Sequence, residues 1–537
     1  MQTGGLSGLL VSRFAGGRYF VVVTAAPSHI HRMARSGGLS MVGAGFSAII
    51  GVLLVMVITR SDLPQQVAGA VFTTTALFLI SVTVVQFGAE VGLVRWLPRH
   101  FALGDDHNVT ATMRAAISPV LVASIVVAAL IFGFAPVISE LFGSSASVVS
   151  TQLRVLAVFL PVAASYNLVL ASTRAFRTMK PTVFVDNFGR DPIQLIFVFL
   201  ASVAGLSSAA FVAAWAIPYV LALVVAGAWL LKLVRRSHRR TREAGGEHLP
   251  PDPGLTGEFW RFTAPRGIAN IAQTLLKRSD IILVAALSST SQAALYAAAT
   301  RFVVFGQLAV QALQQALAPQ ISAALAREDH DVAQDMYRTT TGWGMVLAWP
   351  VYIASAVLAP WILTLFGPQY SEAASAVTIL CLAMLAATAF GSVDTVLLMA
   401  GRSWLSLMNT GIALAVNLAM NFVLIPKIGI VGAAISWAVA IVVRNVLPLT
   451  MIRRMLNMSP FGPASTWVGL SSLLCVGLVP TALRLAGAPF WIVLAALALG
   501  GFAYLGMLWL GRERVQLTAF RSVLRRPGDA GAQTQRS

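Results

Sequence analysis

The stretch NIAQTLLKRSDIILVAAL (Asn270–Leu287) is long and apolar enough for a membrane-spanning helix, yet it carries Lys277, Arg278 and Asp280 within four residues. On an insertion scale each strongly apolar residue contributes roughly 0.5 kcal/mol, whereas each charge near the helix centre costs roughly 2.5–3.5 kcal/mol. Three charges outweigh the apolar residues. The segment therefore enters a bilayer only where neighbouring helices shield the charges or a water-filled cavity solvates them, which requires a bundle of many spans.

The rest of the sequence supplies such a bundle. Of 537 residues, 57% are hydrophobic and only 11% charged, with a mean hydropathy of +0.78. Soluble domains are closer to one quarter charged. Apolar runs of about 20 residues, the length needed to cross a bilayer, recur fourteen times between residues 39 and 511. The fold class expected is an all-α polytopic membrane protein. The net charge of +18 is read against topology, because inner loops collect Lys and Arg, and not as a nucleic-acid signal. With the N-terminus in the cytoplasm, the outer loops hold only Arg60, Arg154, Lys427 and Arg484, a roughly sevenfold bias toward the inside. Both ends are thus expected to be cytoplasmic. The apolar run at Phe20–Ala26 is too short for a signal peptide and is followed by His29, His31, Arg32 and Arg35. Cys381 and Cys475 sit inside apolar runs, so no structural disulfide is expected.

Short matches recur in two halves of the chain. LFG occurs at Leu141–Gly143 and Leu365–Gly367, and AFR at Ala175–Arg177 is echoed by AGR at Ala400–Arg402 at nearly the same spacing. They fall at the same places in two six-helix units of the same orientation, which suggests a parallel duplication about a pseudo-twofold axis along the membrane normal. The expected organisation is a basic cytoplasmic extension (1–37), a first six-helix lobe (38–231), a basic and then Gly/Pro-rich linker (232–257), a second lobe (258–454), an added helix pair (455–511) and a basic tail (512–537).

Helical period places Arg266, Asn270, Gln273, Lys277 and Asp280 on one face, a stripe about 21 Å long, with Lys277 and Asp280 spaced to pair. A second polar face is expected in the fifth span, from Asp186, Arg190 and Gln194, with Asn187 and Asp191 beside them. A third is expected in the eighth span, from Arg301 with Gln311 and Gln315. These faces come from both lobes and suit one central aqueous cavity. A buried, paired network is the structural alternative, with Asp186, Arg190 and Asp191 forming an interfacial pair and Arg301 bridging to Asp280.

GRSWLSLMNTGIALAVNLAMNFVLIPKIGIVGAAISWAVA (Gly401–Ala440), with Asn417 and Asn421 one turn apart, resembles the second-lobe signature of polysaccharide-biosynthesis flippases of the multidrug/oligosaccharidyl-lipid/polysaccharide superfamily. The region around Pro265, Asp280 and Tyr296–Ala298 is similar to that family's seventh and eighth spans. The resemblance implies a non-enzymatic transporter that moves a polyprenyl-diphosphate-linked glycan precursor across a bacterial inner membrane for cell-surface polysaccharide biosynthesis. Its partners would be the lipid-linked glycan and membrane lipids, with glycosyltransferases or a polymerase of the same pathway as protein partners. Arg190, Arg266, Lys277 and Arg301 would then face the diphosphate, and Asn270, Gln273 and Gln311 the sugar hydroxyls. Asp186, Asp191 and Asp280 would couple or neutralise charge. A lipid II flippase, a cation-coupled multidrug antiporter and a membrane glycosyltransferase are the alternatives. In the three polar spans Arg190, Arg266, Lys277, Arg278 and Arg301 outnumber Asp186, Asp191 and Asp280, which disfavours a cationic drug. The sequence has no phosphate-binding Gly-x-x-x-x-Gly-Lys-(Ser/Thr) loop, no metal-ligand spacing and no catalytic triad pattern, so neither a cofactor nor catalysis is expected.

Overall fold

A computed structural model describes residues 27–516 apart from 106, 177, 244–249 and 251. The first half comprises α1 (Pro27–Arg60), α2 (Gln65–Gln86), a short helix α3 (Ala89–Leu103), α4 (His107–Glu140) and α5 (Ala146–Ala175). A π-helical segment (Thr182–Arg190) then runs into α6 (Asp191–Val203), and α7 (Ser208–Ala216) continues past Ile217 as α8 (Pro218–Glu243). The second half repeats the plan: α9 (Leu255–Leu287), α10 (Thr290–Ala299) leading into α11 (Arg301–Ala326), α12 (His330–Leu363), α13 (Ala374–Ala389) leading into α14 (Val393–Met399), and α15 (Ser403–Leu456). The last pair is α16 (Pro463–Ser472), continued through a π-helical turn as α17 (Val479–Leu485), and α18 (Phe490–Leu510).

Among the described residues, eleven helices are long and apolar enough to cross a membrane. One of them, α15, is two spans: Ile428 and Gly429 leave helical geometry, and Gly432 comes back against the Leu424 carbonyl. The reversal needs Gly429, whose φ of +57° is strained for a residue with a Cβ. Two further helices of spanning length, Thr182–Val203 and α9, fall outside the eleven because of Asp186, Arg190 and Asp191 in one and Lys277, Arg278 and Asp280 in the other. Together these account for the fourteen spans expected, arranged as two six-helix lobes and an added pair. The pair packs on α12, where the Tyr504 hydroxyl donates to the Val346 carbonyl (3.2 Å) and Arg484 to that of Ala356 (2.5 Å).

The lobes meet in the way a pseudo-twofold demands. The second span of each lobe, α2 and α10, packs on its counterpart, and the first span of each lobe packs on the second span of the other (α1 on α11, α2 on α9). At one end the seal is polar: Arg60 donates to the Thr364 (2.8 Å) and Leu365 (3.0 Å) carbonyls, Ser145 and Thr290 share a 2.8 Å hydrogen bond, and Gly69 lets α2 approach the Thr290 backbone. At the other end the first turns of α9 lie on lobe one. The Arg95 guanidinium is 3.7 Å from the Phe262 ring centroid, and the Trp260 indole donates to the Ala115 carbonyl (3.1 Å).

Some boundaries differ from the sequence expectation. Helix α1 begins at Pro27, inside the stretch assigned to the N-terminal extension, and residues 1–26 lie outside the described residues. Helix α8 runs to Glu243, so the basic first half of the linker is helical, an apolar helix carried on by good helix-forming Arg and Lys. The linker's far end is pinned to lobe one: Asn108 donates to the Asp252 carboxylate (2.7 Å) and accepts from the Asp252 backbone N–H (3.0 Å).

Candidate functional site

Three polar groups lie within the spans. The first, in lobe one, is closed. Arg190 pairs with Asp186 (2.8 Å) and Asp191 (2.7 Å), the Tyr166 hydroxyl donates to Asp186 (3.0 Å), and Ser47 donates to Asp191. The guanidinium also stands 4.8 Å from the Tyr219 ring centroid. The π-helical segment that carries Asp186 and Arg190 widens the helix by one residue per turn, a feature often found where a side chain is re-aimed. Asp186, Arg190 and Asp191 are thus paired with one another, as in the structural alternative weighed for them. Gln194 turns away and donates to the Trp215 carbonyl (2.7 Å).

The second group surrounds Asp280, which is only 3% exposed. Its carboxylate accepts from Asn421 (2.7 Å) and Tyr296 (3.1 Å), and Asn421 also donates to Asn417 (3.2 Å). Neither expected cation reaches it. Lys277 and Asp280 form no ion pair despite a spacing that permits one: Asp280 is taken up by α10 and α15, whereas Lys277 is exposed to a cavity. Arg301 donates instead to the Ala297 carbonyl (3.3 Å) on α10, the helix that leads into its own. Helical spacing defines the polar face of α9 but not which helix covers each part of it.

The third group is that cavity, about 250 Å³, between α9, α11, α13, α14 and the second span of α15. Lys277 and Arg444 line it with the carboxamides of Gln307, Gln311, Gln314 and Asn445. Among the described residues neither cation has an ion-pair partner. The one carboxylate on the wall, Asp394, accepts a hydrogen bond from Ser406. Arg278 lies within electrostatic reach of Lys277, of Arg301 and of Tyr219 in lobe one, so the positive field extends from the cavity toward the lobe interface.

Of the residues singled out in the sequence, the structure brings Lys277 and Gln311 together at the cavity. Arg266 is exposed, 5.4 Å from the Phe262 ring centroid; Asn270 and Gln273 are half-buried on α9 and not on the cavity wall. Gln315 is exposed, and Gln314 takes the lining position next to it. Sequence reasoning did not single out Arg444, which falls at the expected cytoplasmic end of its apolar run, nor Tyr166 and Tyr219.

The family model described as "Polysaccharide biosynthesis protein" matches residues 33–325, and the MatE model matches residues 265–423. The chain is 22% identical over 247 residues to the "Probable low-salt glycan biosynthesis flippase Agl15" of Haloferax volcanii, an overlap of 46% of this chain and 52% of the relative. The match thus spans about half of that protein's length. Among solved structures, the fold is similar to a lipid II flippase MurJ in an inward closed conformation (TM-score 0.70, 12% identity, 88% of this chain and 99% of that one). It is also similar to an inward-facing multidrug resistance MATE family transporter (TM-score 0.63, 13% identity, 76% and 94%).

Proposed function

This chain belongs to the polysaccharide biosynthesis protein family, and we propose from that premise that it is a flippase. It moves a polyprenyl-diphosphate-linked glycan precursor from the cytoplasmic to the outer leaflet of a bacterial inner membrane, with both termini in the cytoplasm. The observation that carries this reading is the cavity. Lys277 and Arg444 stand on one wall with no ion-pair partner among the described residues, and four carboxamides surround them. A charge within a membrane span is costly unless it is solvated or paired. Two such cations suit an anionic diphosphate, and Gln and Asn side chains can donate to and accept from sugar hydroxyls at once. Cationic drugs would favour acidic walls, and among the described residues Asp394 is the one carboxylate lining this cavity.

Within this reading Lys277, Arg444, Gln307, Gln311 and Gln314 bind the head group, and Arg278 and Arg301 extend the attraction toward the lobe interface. Asp280 takes the coupling role, binding a proton or a sodium ion as the lobes alternate. Arg190, Asp186 and Asp191 neutralise one another and hold α1 to the fifth span. Arg266, Asn270 and Gln273 line the approach.

The test is flipping of a fluorescent polyprenyl-diphosphate glycan in proteoliposomes, with folded protein quantified in parallel. The Lys277→Ala, Arg444→Ala double variant is expected to lose transport while keeping its fold. Normal flipping by that variant would remove the cavity from the substrate path.

A further inference from the structure

Main chain meets main chain across the lobe interface at the two ends of α2. A Cβ on Gly69 would strike the main-chain carbonyl of Thr290, the first residue of α10. At the other end a Cβ on Gly267 would strike the Phe87 carbonyl, and one on Gly88 would lie 2.6 Å from the Gly267 nitrogen. Gly69 and Gly88 are about 28 Å apart at the helical rise, close to the thickness of the hydrocarbon core. Gly189, Gly432 and Gly500 also abut main chain, but each within its own unit, against Phe184, Leu424 and Cys475.

The two ends are fastened differently. Beside Gly69 the lobes are joined by hydrogen bonds, from Arg60 to the Thr364 and Leu365 carbonyls and between Ser145 and Thr290. Beside Gly267, Arg95 of lobe one stacks on Phe262 of lobe two, and the Trp260 indole donates to the Ala115 carbonyl. The turn that brings the Phe87 carbonyl onto Gly267 is left-handed at two successive residues, with φ of +41° at Phe87 and +80° at Gly88. A residue with a side chain is uncommon in that region, and backbone strain of this kind gathers in the parts of proteins that switch. Neither glycine contact can be relieved by a change of rotamer, because both partners are backbone. A methyl group at one site therefore parts the lobes at that end and leaves the other end free to close.

We propose that Gly69 and Gly267 are the two positioning residues that decide which end of the lobe interface is closed. Each lets its own end shut, and a side chain at either one biases the protein open at that end alone. Neither touches the cavity that holds Lys277 and Arg444. With both contacts made, the structure is the closed form between two openings, and each half of a transport cycle keeps one contact while parting the other. This rests on the transport reading and deepens it, by naming what sets the side that is open. The contacts are tested with no substrate present, so their failure leaves that reading standing.

The experiment reads the two ends separately. The full-length protein with Cys381→Ala and Cys475→Ala is reconstituted in phosphatidylcholine nanodiscs. One reporter pair is Ser145→Cys with Thr290→Cys, whose hydroxyls stand 2.8 Å apart, followed by direct disulfide formation. The other is Arg95→Cys with Phe262→Cys, followed by bridging with a short bis-methanethiosulfonate. Gly69→Ala is expected to slow the first pair about tenfold, the effect of a methyl group forced into a packed contact, and to leave the second at least as fast as in the parent. Gly267→Ala should do the reverse. Gly227→Ala, in α8 with open space around it, should change neither. Should an alanine variant fail to fold, removing a hydrogen bond replaces the wedge: Arg60→Gln should slow the first pair alone, and Trp260→Phe the second alone. A variant that slows both pairs equally, or leaves its own end unchanged, would overturn the assignment.

Discussion

Asp280 and Asn421, 141 residues apart in sequence, meet at 2.7 Å in the interior of the second lobe. The carboxylate is held by uncharged donors, Asn421 and Tyr296, and not by the lysine one turn away on its own helix. Such a group can gain or lose a cation without breaking an ion pair, which is the property a coupling residue needs. Asp280→Asn is therefore expected to leave the amount of folded protein near normal and to abolish flipping driven by a proton or sodium gradient in proteoliposomes. Gradient-driven transport at the wild-type rate in this variant would leave Asp280 a structural acceptor only.

Arg190 is predicted to act on stability. It neutralises two half-buried carboxylates in the first lobe, and removing it leaves their charges uncompensated, at a cost below the ~3–5 kcal/mol of a fully buried network. Arg190→Ala should lower the thermal midpoint of the detergent-solubilised protein sharply. Combining it with Asp186→Asn should recover part of the loss, since one stranded charge is removed with it. A midpoint unchanged by Arg190→Ala would show that water solvates the two carboxylates.

The fold was legible in the sequence wherever a single helix carries the signal. The hydrocarbon thickness sets the length of an apolar run, so all fourteen spans could be counted, including the two that carry three charges each. The π-helical segment at Thr182–Arg190 and the partners of Asp280 were not legible. Helical period tells which residues share a face, as it did for Lys277 and Asp280, but not which distant helix covers it. Asn417 and Asn421 could be noticed as a pair one turn apart, and their carboxylate partner is known only once α9 and α15 are packed together. Arg444 was hidden for a related reason: position near the end of an apolar run does not tell that packing brings it into one cavity with Lys277.

A pH effect follows from His100 in α3, outside the spans. Burial holds its imidazole below the ordinary value of 6.5, and the ring shares a 3.0 Å hydrogen bond with Thr112. Below pH 6.5 the unfolded chain takes up a proton at this position that the folded chain resists, so stability is retained above that pH and declines as pH falls through it. The thermal midpoint should drop between pH 7 and pH 5.5, and His100→Gln should make that drop shallower. An equally steep decline in the variant would assign the effect to other groups.

The orientation proposed for transport also has a direct check. A cysteine in place of Ser288, after α9, should react with an impermeant thiol reagent in intact cells, whereas one in place of Ser237, on the extension of α8, should react only after the membrane is opened. The reverse pattern would invert the topology and the direction of flipping.

The reversal at Ile428 and Gly429 bears on how the chain is made. With Gly432 already against the Leu424 carbonyl, the two halves of α15 have almost no connecting loop between them. During synthesis the second half cannot wait in water while the first settles in lipid. The two halves are best inserted together as a helical hairpin, and a long basic side chain such as that of Lys427, beside the reversal, can extend its charge toward water while its stem stays among apolar groups.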